Sequence, residues 1–215
     1  MTDDLTLDEV RAKLAPEIAA NAAFDGWGDE ALTMTAEAMG IDADVAKLAF
    51  PGGAVDMIDA WFASIDATMI AAVPQIATLK IRERITALIE ARLAAQAPDR
   101  EALRRALAVL ALPQNLGRAA RLGWRSVDTI WRPAGDTATD YNHYTKRAIL
   151  LGVYGATISV FLDDESEDFA DTRAFLRRRI DGIMHFEKTK AGFLKRTENL
   201  PSLSRFIGRL RYPAV

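Results

Sequence analysis

The stretch GWGDEALTMTAEAMGIDADVAKLAF, residues 26–50, decides how the chain is read. Gly26-Trp27-Gly28 opens it as a turn. DEALTMTAEAMG then predicts a short helix ending at Gly40, a residue suited to a helix C-terminus because it accepts the left-handed conformation. IDADVAKLAF follows as another short helix, closed by Pro51-Gly52-Gly53. The preceding run, LDEVRAKLAPEIAANAAF, is also helical in pattern, with Pro16 predicting a kink or a break.

Working outward, the helices lengthen. AVDMIDAWFASIDATMIAAV runs to Pro74, and KIRERITALIEARLAAQ places Ile81, Ile85, Leu88 and Ile89 on one stripe with arginines and glutamates opposite. Asp99 is expected to cap a helix that Pro113 stops, and Asn115 to cap the next, which ends near Trp131-Arg132-Pro133. Asp140 or Thr139 then caps a long helix to about Leu162, and Asp168 caps another with Leu176, Ile180, Ile183 and Met184 as its buried stripe. Asn199-Leu200-Pro201 reads as a hinge before SLSRFIGRLRY. No run alternates with the period of two that a half-buried strand needs.

The expected fold is therefore all-α, a bundle of about ten helices. Three short helices, with a glycine turn between the second and third, precede a set of longer apolar ones. That order resembles TetR-type proteins, in which a helix-turn-helix head sits on a helical ligand-binding and dimerising body. The boundaries follow: a head over 1–53, a ligand-binding and dimerisation body over 54–198, and an amphipathic tail helix over 199–215.

Composition agrees with one globular chain. Its 215 residues are 50% hydrophobic and 27% charged, enough to bury a continuous core without staples. There is no cysteine, which excludes disulfides and thiolate metal sites. MTDDLTLDEV is acidic where a targeting peptide is basic, so none is expected. No apolar run approaches the roughly 20 residues that span a bilayer. The net charge of −3 is unevenly spread. Asp29, Glu30, Glu37, Asp42, Asp44, Asp56 and Asp59 face a single Lys47 near the start, whereas Lys188, Lys190, Lys195, Arg196, Arg205, Arg209 and Arg211 face Glu198 at the end.

That asymmetry bears on the head. A helix-turn-helix needs basic groups beside phosphates, and here the reading helix carries Asp42 and Asp44. The head is expected to be degenerate and DNA binding is disfavoured. Catalysis also lacks material. The chain has 2 histidines, His143 and His185, and no Glu-x-x-His pair of the di-iron kind. Its one Asp-x-x-His, Asp140 to His143, places the aspartate at a helix start. No nucleophile signature, nucleotide glycine loop or His-Glu-x-x-His appears. The expectation is no catalytic residue, no metal, no cofactor and no enzymatic activity.

Some helices carry more apolar surface than a stripe requires. Trp61, Phe62, Ile65 and Met69, together with Ile70, cover a wide arc, and AILLGVYGATISVFL is apolar nearly all round, interrupted by Gly152 and Gly155. Both patterns suit plain core or dimer packing, and both suit a pocket for an apolar ligand; periodicity does not separate them. The candidate lipid-lining residues are Trp61, Phe62, Ile65 and Met69 together with Leu107, Leu110, Val127 and Trp131, and with Ile149, Val153 and Tyr154 on the long helix. In the tail, Leu203, Phe206, Ile207 and Leu210 form an apolar face with Arg205 and Arg209 off it, which fits an interfacial membrane helix or a terminal helix docked on protein.

LPQN at 112–115, then DTIWRPAGDTATDYNHYTKRAIL from Asp128, then DFADTRAFLRRRID from Asp168 resemble the coenzyme Q (ubiquinone) biosynthesis accessory family of lipid-binding proteins, the "Coq nine" type, with a TetR-like fold. The resemblance runs from about Gly26 to Arg179, and AGD…TDYN…YTKRA is its most specific block. It implies a homodimeric, non-enzymatic protein that binds an isoprenoid quinone intermediate and presents it to the pathway's membrane-associated di-iron hydroxylase. It also implies a partner surface including Ile130, Asp140, Asn142, His143, Tyr144 and Arg147, and membrane contact through the C-terminal helix. One position departs: the family usually has tryptophan where this chain has His143. The expected location is the bacterial cytoplasm, peripheral to the inner membrane. The alternative is a TetR-type ligand-sensing transcriptional regulator.

Overall fold

The computed structural model of the chain describes residues 5–135 and 141–183, with only the backbone of Tyr141 and Asn142. All regular structure among these residues is helical, and the TetR-like order anticipated from the sequence is present. The chain divides into two compact units, Met1–Leu176 and Arg177–Val215.

Helix α1 (Leu7–Asp25) starts at a capping box. Glu9 N–H donates to the Thr6 hydroxyl (3.3 Å) and Thr6 N–H to the Glu9 carboxylate (2.8 Å), so two orphan amides of the first turn are satisfied. The expected break at Pro16 does not occur; α1 passes through it as one helix. Val10, Leu14, Ile18 and Ala22 repeat every four residues and are buried against α2 (Asp29–Ala38), α3 (Ala43–Ala49), α4 (Ala54–Ala72) and α6 (Arg100–Leu110). Helix α1 is thus a spine shared by head and body. Trp27 fixes the same junction: its ring lies 5.3 Å from that of Trp61, and its indole N–H donates to the Ala102 carbonyl at 2.9 Å.

The turn between α2 and α3 uses Gly40 at φ 66°, where a side chain would be strained. Asp42 caps α3 by accepting from the amides of Asp44 (2.8 Å) and Val45 (3.2 Å). Arg11 then closes the head, donating to the Ala49 carbonyl (2.8 Å) over the Phe50 ring. At the corner into α4, Gly52 N–H donates to Asp56, whose carboxylate also pairs with Arg118 of α7 (Leu116–Trp131).

Helix α4 packs on α5 (Ile81–Gln96), and α7 packs on α8 (Tyr141–Asp163). Three expected caps are different. Asp99 stands at the N-cap of α6 but its side chain makes no capping hydrogen bond. Asn115 precedes α7 but turns its side-chain amide back to the Val109 carbonyl (2.8 Å), satisfying the end of α6 instead. Asp168 has φ 52° and lies inside a tight turn, so it does not start the helical run over 170–183. Asp164 does that work. It accepts from Ser166 N–H (2.9 Å) and hydroxyl (2.5 Å), and from Thr172 N–H (2.8 Å) and hydroxyl (2.5 Å). Burial alone would raise its carboxyl, and these bonds reverse the direction and hold it well below the usual carboxylate range. Arg100 seals the same corner by donating to the carbonyls of Phe161 (3.3 Å) and Asp164 (2.5 Å).

Among the described residues, His143–Asp163 is long and apolar enough by composition to cross a membrane, contrary to the sequence expectation of no such run. Leu150, Val153, Tyr154, Ile158 and Phe161 are buried on one side of it, while Tyr144, Ala148, Gly152, Gly155 and Ser159 are exposed on the other.

Candidate functional site

Two arrangements stand out, one on the surface of α7 and one beneath it. On α7, Arg121, Trp124, Arg125, Asp128 and Arg132 recur at helical spacing and so share a face. The first turn of α8 brings His143 and Tyr144 beside them. The Tyr144 ring lies 6.0 Å from Trp124 and 5.1 Å, edge-on, from His143. A groove of about 620 Å³ runs between these groups, lined by Ala120, Arg121, Trp124, Arg125, Asp128, Arg132 and His143. A second of about 280 Å³ shares Arg125, Asp128 and Arg132 and extends to Ile70, Thr129 and Pro133.

The groove is braced from below. Arg147 is buried and donates from Nε to Asp128 (2.7 Å) and from Nη1 to the His143 carbonyl (3.2 Å). Asp128 also takes Arg132 (2.6 Å), and Arg125 pairs with Asp59 and its carbonyl. Asp128 thus stands between two arginines, Arg132 and Arg147. The surface combines aromatic faces with guanidinium groups, which suits docking of a partner that presents both apolar area and acceptor oxygens.

The predicted partner residues separate on this geometry. His143 and Tyr144 face outward, Tyr144 being 62% exposed. Ile130 and Arg147 do not: Ile130 belongs to the core and Arg147 acts through Asp128 and His143. Asp140 and the side chain of Asn142 lie outside the described residues. Trp124, Arg121 and Arg132 were not singled out from the sequence, although their three- and four-residue spacing along α7 carried the signal.

In the helical body, eight of the eleven predicted lipid-lining residues are buried: Trp61, Phe62, Ile65, Met69, Leu110, Val127, Val153 and Tyr154. Leu107, Trp131 and Ile149 are half-buried. Gly152 and Gly155, expected to face inward, are instead exposed, with open space where a Cβ would stand. They continue a row with Tyr144, Ala148 and Ser159, spaced four, four, three and four residues apart on the outer face of α8.

The body also holds a polar cluster that hydrophobic periodicity concealed. Arg92 is 1% exposed and pairs with Asp66 of α4. Its Nε donates to the Tyr154 hydroxyl (2.7 Å) and its Nη2 to the Ser126 hydroxyl (3.0 Å). Phe62 and Tyr154 lie under the guanidinium, and the Tyr154 hydroxyl donates to Gln96 Oε1 at 3.2 Å. The predicted tail residues Leu203, Arg205, Phe206, Ile207, Arg209 and Leu210 lie outside the described residues. Among the described residues no group of three or more His, Asp or Glu side chains is placed to hold a metal.

A three-helix head on a helical body with an aromatic, arginine-lined groove defines the class: a TetR-like all-helical protein. A solved TetR transcriptional regulator from Nitrosomonas europaea superposes with a TM-score of 0.64 at 26% identity, covering 80% of this chain and 95% of that one. Within that class the resemblance to the ubiquinone accessory family holds, since residues 116–187 match the family model described as COQ9. The rat mitochondrial ubiquinone biosynthesis protein COQ9 is 32% identical over 173 residues, 76% of this chain and 55% of the rat protein. Human mitochondrial COQ9 is 41% identical over 101 residues, 47% of this chain and 32% of that protein. The chain spans 30% to 62% of the length of these and other curated relatives it matches.

Proposed function

We propose that this protein serves ubiquinone biosynthesis without catalysing a step, binding an isoprenoid quinone intermediate in its helical body and presenting it to the pathway's membrane-associated di-iron hydroxylase. The observation that carries the reading is the match to COQ9 across α7 and α8, the two helices that build the arginine-aromatic groove. The groove on α7 and α8 would meet the hydroxylase, while the interior of the body holds its substrate. The open, small-residue row Ala148, Gly152, Gly155 and Ser159 on α8 supports a homodimer, since small side chains let two helices approach closely. The amphipathic tail would hold the protein at the inner membrane of a bacterium.

The test is native mass spectrometry of the purified chain, with lipid extraction. A bound isoprenoid or quinone is expected, and a consistently lipid-free protein refutes the reading. In cells, Arg121→Glu and Tyr144→Ala are expected to lower hydroxylated quinone while the melting temperature stays unchanged; normal quinone with both variants removes the groove from the function. The regulator reading draws on the Nitrosomonas structure, but the head's outer face carries Glu37, Asp42 and Asp44. Salt-dependent, sequence-specific DNA binding by the purified chain would reinstate it.

A further inference from the structure

The two ends of α4 lie in different electrostatic surroundings. The helix starts at the head's corner, where Asp56 pairs with Arg118, and its 19 residues carry the chain about 28 Å from there. The head presents Asp29, Glu30, Glu37, Asp42 and Asp44 against Lys47. At the far end no acid occurs from Ala67 to Arg82, a run that takes in the end of α4, the α4–α5 loop and the start of α5. Lys80 and Arg82 fall within it. Ile70 and Ile81 are 47% and 44% exposed, and Pro74 and Ala77 between them are exposed as well. Aliphatic side chains left in water beside lysine and arginine, with no carboxylate among them, are what an interfacial segment requires.

The loop is also tied down. Arg84 donates to the carbonyls of Ala77 (2.7 Å) and Leu79 (2.7 Å), and to that of Ala134 (3.1 Å) just beyond α7. One guanidinium thus joins the α4–α5 loop to the end of α7. Among the described residues at this end, Lys80, Arg82, Arg84 and Arg132 stand against Glu83 and Asp128. A loop already fixed in place meets a surface without first losing freedom of its own.

We propose that the α4–α5 loop and the helix ends flanking it form a docking tip for an anionic bilayer. Ile70, Pro74, Ala77 and Ile81 enter the interface, and Lys80 and Arg82 meet the lipid phosphates. The acidic head is repelled by the same surface, so the charge difference along α4 selects one orientation. Ile70 and Pro133 line the smaller pocket with Arg125, Asp128 and Arg132, so docking brings that pocket to headgroup level. The contact requires neither a lipid inside the body nor the C-terminal segment, and it stands or falls independently of both.

The chain has no cysteine, so a single one carries a reporter without further changes. Full-length Ala77→Cys and Glu30→Cys, each labelled with an environment-sensitive fluorophore, are mixed with vesicles of phosphatidylcholine with or without phosphatidylglycerol. The anionic vesicles are expected to blue-shift the label at position 77 and leave the label at position 30 unchanged, and the neutral vesicles to shift position 77 much less. Lys80→Gln combined with Arg82→Gln is expected to weaken partitioning into the anionic vesicles about fivefold for each charge removed, with the melting temperature unchanged. Gln75→Cys, at another exposed position of the loop, replaces Ala77→Cys if that variant does not fold. A label at position 77 that keeps its aqueous spectrum while the protein sediments with anionic vesicles overturns the proposal and assigns membrane contact elsewhere. Equal shifts at positions 77 and 30, an equal shift on neutral vesicles, or no vesicle binding at all overturns it too.

Discussion

Replacing Asp66 by asparagine tests the energetics of the body most directly. The change is nearly isosteric, but it leaves Arg92, 1% exposed, without its anion. The bonds from Arg92 to Tyr154 (2.7 Å) and Ser126 (3.0 Å) are to neutral oxygens and do not balance the charge. Breaking a buried pair in this way costs about 3–5 kcal/mol. For a chain of this size each kcal/mol lowers the melting temperature by about 2–4 °C, so a fall of about 6–20 °C is expected. Removing both charges, as Asp66→Leu with Arg92→Met, should cost far less than Arg92→Met and Asp66→Leu added together, because no charge is left stranded. Urea unfolding followed by circular dichroism supplies the four free energies of the cycle. A loss below about 1 kcal/mol in Asp66→Asn, or strict additivity of the two single changes, would show that solvent reaches the pair and refute the reasoning.

Two further outcomes follow from local geometry. Asp164→Asn should lose about 1–3 kcal/mol at neutral pH, since a carboxylate receiving four bonds becomes a weaker acceptor. Because the folded-state value is depressed, this contribution is present above the ordinary aspartate range and fades as pH falls through the folded value. The gap between wild type and variant should therefore close in acid, and a gap independent of pH would contradict the assignment. Gly52→Ala places a Cβ 2.6 Å from Asp56 Oδ1 and 2.7 Å from Arg118 Nη1, so the pair must part. A loss of about 1–2 kcal/mol is expected, whereas Gly117→Ala, with open space at its Cβ, should stabilise by about 0.5–1 kcal/mol; equal effects would refute the crowding argument.

The head was legible because its punctuation is chemical: Gly40 at the α2–α3 turn and Pro51-Gly52-Gly53 before α4 impose boundaries whatever packs around them. The caps were less legible. Asn115 and Asp168 sit where a cap residue is wanted, but the Val109 carbonyl competes for the first and a left-handed turn claims the second. Arg92 shows the limit most clearly. Its position continues the stripe of Ile85, Leu88 and Ile89, and residue type alone assigned it to solvent. Burial of an arginine needs partners from other helices, Asp66, Ser126 and Tyr154, and their convergence is a tertiary fact that no window of sequence holds. The groove divided for the same reason. Tyr144 reads as an outward aromatic, but Arg147, one turn later in the same block, is turned inward by Asp128 on α7.

The dual packing of α1 has a practical meaning for anyone dissecting this protein. A head that rests on a body can be cut away, as a handle is taken from a tool. Here the first helix is a keystone: removing residues 7–25 would uncover apolar faces of α4 and α6 and take away the Trp27 junction's support. The helix-turn-helix remnant is thus part of the masonry of the helical body. A body expressed without it is a different and less soluble object, and the acidic face it presents to water comes along whether or not anything reads it.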